Sequence, residues 1–195
     1  MTLNDDDRTS AIGLARYARE YFDAAIAADN AIGKGYKIHA PPPVMFLVAH
    51  SIELALKAYL RDQGLSVDDL RERGHRLEEC WQLAIKHGVE DHVQLTKEDL
   101  SVLQLISDLH ASTELRYIQT GFKRLPVFGP LQQLARKLLD TICPLVGYRG
   151  LRKTSSLHLG TGWISPRSEP LPPFPLDTGV CSAYVPYTFF SSMTS

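Results

Sequence analysis

A chain of 195 residues can bury a sizeable apolar core, and 44% hydrophobic with 22% charged residues is the make-up of an ordinary globular protein. With 21 basic against 22 acidic side chains, no global field recruits nucleic acid or an anionic membrane, so any phosphate binding must be local. Cys80, Cys143 and Cys181 stand far apart without a C-x-x-C partner, which argues against a disulfide framework or a zinc ribbon and for reduced thiols. The acidic start MTLNDDDR is unlike a signal peptide, and Val44 to Ala49 is too short to span a bilayer. The expectation is a cytoplasmic protein with no membrane association.

After a polar lead, Thr9 or Ser10 can cap a first helix on which Ala11, Leu14, Ala15, Ala18, Phe22, Ala25 and Ile26 recur at helical spacing, ending near Gly33 or Gly35. The stretch from Pro41 to Gly64, PPPVMFLVAHSIELALKAYLRDQG, reads as the central helix, opened by proline and closed by glycine. It is apolar on nearly all sides, which suits the middle of a bundle. Its one polar strip is His50, Glu53, Lys57 and Arg61, stacked at spacings of three and four.

Ser66-Val67-Asp68-Asp69 resembles a capping box for a short helix stopped by Gly74. A third main helix runs from Arg76 through Leu77, Cys80, Trp81 and Ala84 to Gly88. Thr96-x-x-Asp99 starts a fourth, with Leu100, Leu103, Ile106 and His110 on one line, and this helix can continue to Tyr117. Gly121 to Pro130 is a loop, followed by a fifth helix that Pro144 should kink or end. From about Arg149 the chain turns Pro-rich and loses its period, so 149–195 is expected to be an irregular tail. The fold class expected is all-α: an antiparallel bundle of about five helices over 9–148.

The words HSIELALKAYL (His50 to Leu60), GHRLEECWQLA (Gly74 to Ala84) and LRY (Leu115 to Tyr117), in this order and separation, resemble the HEPN superfamily of nucleotide-binding helical domains. The resemblance implies a helical bundle that often dimerises, in a superfamily with many metal-independent RNases of toxin–antitoxin and defence systems and with members that only bind or scaffold. The catalytic signature there is an Arg followed by a His a turn or so later. A guanidinium can grip phosphate bidentately and an imidazole can move a proton. Arg116 has no such His after it, and the one formal match, Arg152 to His158, falls in the tail.

The candidate residues carry two readings each. His50, Glu53 and Lys57 form either an i,i+4 pair with a histidine at the helix seam, or a strip that holds a phosphate or a catalytic proton. His75 either closes a tight turn or meets an anion at the next helix's N-terminus. Arg116 and Tyr117 either pair with Glu53 and fill the core, or clamp a phosphate and stack on a base. His87 and His92 lack a third ligand, so no metal and no cofactor is expected. The function expected is a non-catalytic module binding a partner protein, nucleotide or RNA, as a homodimer because Tyr36, Phe122, Val127 and Phe128 leave an apolar patch. The alternative is a metal-independent RNase in which His50 or His75 serves Arg116.

Overall fold

The structure, a computed structural model, describes residues 5–33, 38–112, 114–117 and 124–150. Tyr36, Phe122, Arg152, His158 and the tail beyond residue 150 lie outside the described residues. Among those described there is no strand, and seven helices form the all-α bundle that the helical period predicts. Five are principal and two, α1 (Asp5–Arg8) and α4 (Val67–Glu72), are short.

Local sequence accounts for most helix ends. Ser10 caps α2 (Ala11–Ile32), its Oγ accepting the Gly13 N–H at 3.1 Å. Pro42 and Pro43 open α3 (Pro42–Asp62), where their missing N–H groups forfeit no helical bond. Reciprocal Ser66–Asp69 and Thr96–Asp99 bonds box the starts of α4 and α6 (Lys97–Ala111). Gly74, at φ +56°, makes the left-handed turn into α5 (Leu77–Lys86), and Gly88, at φ +82°, follows that helix.

Two boundaries differ from expectation. Helix α6 stops at Ala111 rather than running to Tyr117, because Ser112 turns its hydroxyl onto the Leu109 carbonyl and competes with the helical backbone. Helix α7 (Phe128–Leu145) starts two residues ahead of Pro130, since proline fits a first turn, and it ends one residue past Pro144.

Helix α3 is the core. Val44, Met45, Val48, Ala49, Ile52, Ala55, Leu56, Ala58 and Leu60 have no exposed surface, and α2, α7, α5 and α6 pack around them. This helix is long and apolar enough to cross a membrane, but 67% of its apolar window is buried inside the bundle. Helices α2 and α3 are antiparallel: Arg61, near the end of α3, donates to the carbonyls of Asp6 and Thr9 ahead of α2. Helices α2 and α7 are too, since Arg136 lies over Phe22 while Asp140 pairs with Arg19 and Cys143 meets the Ala15 carbonyl. Cys80 and Cys143 are buried and free, and burial pushes the Cys80 thiol up to about 11, leaving it inert at neutral pH.

Truncation of a core residue of α3 tests this arrangement. Leu56→Ala is expected to cost about 2–5 kcal/mol, whereas Leu100→Ala, at a 40% exposed position, should stay within about 0.5–1 kcal/mol. Urea unfolding followed by circular dichroism measures both, and equal losses would show that α3 is not the centre of the core.

Candidate functional site

An ionisable side chain in the middle of an apolar helix must find partners or lose its charge. Glu53 is 3% exposed and finds four. Its Oε1 accepts the Lys57 ammonium at 2.7 Å, one turn along α3. Its Oε2 faces three imidazole nitrogens: Nδ1 of His50 at 3.3 Å, Nδ1 of His75 at 3.0 Å and Nε2 of His110 at 2.7 Å. Burial alone would raise the Glu53 carboxyl, but the hydrogen bonds of His110 and His50, the charge of Lys57 and the bond from His75 outweigh it and hold it well below the carboxylate range.

A carboxylate of that kind only accepts, so each facing ring nitrogen carries a proton and donates. For His110 this assigns the Nε2–H tautomer, because burial more than offsets Glu53 and holds its pKa below the ordinary value, leaving the ring neutral. Its Nδ1 is then a bare lone pair, buried without a hydrogen-bond partner. That is a tolerable arrangement for an acceptor and a costly one for a donor or a cation.

The cluster is assembled from three segments. His50, Glu53 and Lys57 come from one face of α3, as their spacing requires. His75 comes from the turn after Gly74, whose carbonyl accepts a second bond from Lys57 at 2.8 Å. His110 comes from the end of α6. The rings also pack on aromatics: Tyr21 meets His50 edge-on at 4.6 Å, and Phe46 lies parallel to His50 at 5.9 Å and against His110 at 5.8 Å.

Exposure rises outward across the three histidines. Their side chains are 0% (His110), 23% (His50) and 43% (His75) exposed, so the cluster opens to solvent on the His75 side. Since His75 binds Glu53 through Nδ1, its Nε2 is left for other partners. His75 therefore does not serve as the backbone tie of its turn.

Arg116 does not pair with Glu53. Because α6 ends at Ala111, the chain carries Arg116 out to the surface, where its guanidinium stands 5.9 Å over the Phe46 ring, and His110 takes the place opposite Glu53. Tyr117 is 67% exposed and fills no core space. The structure thus brings together His50, Glu53, Lys57 and His75, leaves Arg116 and Tyr117 at the rim, and adds His110. Sequence reasoning read His110 as one position on the apolar line of α6; the signal was a histidine on that line, in a chain whose central helix carries a lone buried carboxylate.

Fold and site together define a helical bundle with a carboxylate–imidazole cluster at its core and an opening on one side. Comparison of the chain with known protein families, with curated proteins and with solved structures finds no match.

Removal of the Glu53 charge should leave Lys57 and three ring N–H donors without their common acceptor. Glu53→Gln is expected to lower the unfolding free energy by about 3 kcal/mol in urea, while Glu90→Gln, at an exposed position, is expected to change it by under about 1 kcal/mol. In the wild type at pH 7, long-range proton–nitrogen NMR should find the His110 ring protonated at Nε2 alone.

Proposed function

We propose that the chain is a non-catalytic, HEPN-like helical module that binds RNA or a nucleotide at the rim of the Glu53 cluster. What carries the reading is the exposed Arg116 guanidinium over Phe46, a ring that itself stacks on His50. A guanidinium held over an aromatic face keeps its fork of N–H donors free for phosphate oxygens. Tyr117, 67% exposed on the adjacent position, offers a ring on which a base can stack. The half-exposed His75 edge supplies a further donor beside them. The resemblance in HSIELALKAYL, GHRLEECWQLA and LRY supports the same chemistry and a setting in toxin–antitoxin or defence systems, in the cytoplasm, with a cognate protein as a further partner.

A metal-independent RNase is the second reading, favoured by one specific observation. His75 and His50 both turn Nδ1 to the same carboxylate, an arrangement that orients an imidazole while leaving Nε2 for proton transfer. We also propose a homodimer, supported by Ile38 and Val127, which are 59% and 46% exposed beside the same shallow depression.

Fluorescence anisotropy with labelled single-stranded RNA tests the first reading. Arg116→Ala is expected to weaken binding about tenfold, the worth of one charge-assisted contact, and to flatten the salt dependence by about 0.7 in log–log slope. Wild type that binds neither RNA nor a nucleotide at micromolar concentration overturns the module. RNA cleavage in chelator that His75→Ala abolishes replaces it with the RNase.

A further inference from the structure

We propose that His50, His75, His110 and Glu53 form a binding site for one divalent transition-metal ion of the zinc class. The inference does not rest on the RNA-binding reading: Arg116 and Tyr117 supply no ligand to it, and His75 is the one residue the two uses share.

Geometry is the first support. Three imidazole nitrogens from α3, the α4–α5 turn and α6 surround a single point, at 3.3, 3.0 and 2.7 Å from Glu53 Oε2. The donor atoms of His50, Glu53 and His110 all lie within 4.8 Å of one another. Tetrahedral zinc with bonds of about 2.0–2.1 Å sets its donors about 3.4 Å apart, so even a pair of these three at that outer limit closes when each atom moves about 0.7 Å, and His75 joins them through its 3.0 Å contact with Glu53 Oε2. The carboxylate oxygen now at the focus needs only to turn aside to become the fourth ligand.

The surroundings are those of a built site. Lys57 holds the other carboxylate oxygen at 2.7 Å and is itself anchored on the Gly74 carbonyl, which keeps Glu53 at the site through Oε1 while Oε2 turns. Tyr21 and Phe46 pack on the His50 ring, Phe46 and His75 pack on the His110 ring, and these contacts limit ring rotation. The partly exposed His75 edge leaves a way in from solvent.

Donor chemistry selects the metal. Three imidazoles and one carboxylate suit zinc, cobalt, nickel or copper and not magnesium or calcium, which take oxygen. Two features limit the affinity. Metal on His110 Nε2 moves the ring proton to Nδ1, which is buried without an acceptor, and the Lys57 ammonium sits one ligand away from the added charge. Each ring nitrogen that binds the ion gives up its proton, either to the other nitrogen of its ring or to solvent.

The test is titration of chelator-stripped full-length protein with cobalt(II), read by visible absorption, with zinc as competitor. One equivalent of cobalt should bind with the band pattern of nitrogen and oxygen ligands, zinc should displace it, and a large excess of magnesium should not. His75→Ala, at a partly exposed position, should weaken binding roughly tenfold or more, as should His50→Ala. His87→Ala combined with His92→Ala, two exposed residues of another loop, should leave it unchanged, and so should Arg116→Ala, which separates this result from loss of RNA binding. The inference is overturned if no stoichiometric cobalt spectrum forms at micromolar protein, or if His75→Ala and His50→Ala bind cobalt as wild type does.

Discussion

Glu53 is a charge set in the one helix that the rest of the bundle is packed around, and its need for donors constrains everything nearby. Water would have satisfied the carboxylate; 3% exposure removes that option, and neighbouring segments must substitute. Lys57 answers from the next turn of α3, His75 from beyond Gly74 and His110 from α6, so one oxygen pair links three parts of the chain distant in sequence. Apolar contacts among Ile52, Leu56 and their neighbours tolerate small slips and rotations. Hydrogen bonds of 2.7–3.3 Å do not, and they hold α6 and the α4–α5 turn in one register on α3.

The same arrangement joins a buried charge to an open surface. Exposure of the histidine side chains climbs from 0% through 23% to 43%, and Phe46 packs against the two more buried rings. Phe46 belongs to both regions: it packs against the His50 and His110 rings and also lies beneath the Arg116 guanidinium. Phosphate contact at the rim and metal ligation at the focus are separable, because the first draws on Arg116 and Tyr117 and the second on the donors around Glu53. His75 is the residue the two uses share. Its Nδ1 belongs to the cluster and its outer edge to solvent.

Much of the bundle was legible without tertiary information because the forces that set it are local. The periods of α2, α3, α5, α6 and α7 follow from 3.6 residues per turn, and the ends follow from side chains within three or four positions: Ser10, Ser66 and Thr96 at the starts, Gly74 and Gly88 at the turns. The polar strip of His50, Glu53 and Lys57 was legible for the same reason, since residues on one helix keep their spacing whatever packs against it.

Tertiary structure decided which helices complete that strip. His110 shares the line of Leu103 and Ile106 on α6, and no spacing rule separates a histidine that packs as a core residue from one that meets a carboxylate on another helix. The pairing of Arg116 with Glu53 failed on a single boundary: α6 stops at Ala111, and the turn beyond it delivers Arg116 to the surface instead of the seam. Sequence by itself determined the helices, their caps and the presence of a charge needing partners in the central one. The partners depended on how α3, α5 and α6 pack, because an interhelical distance is set by the side chains buried between the helices and not by separation along the chain.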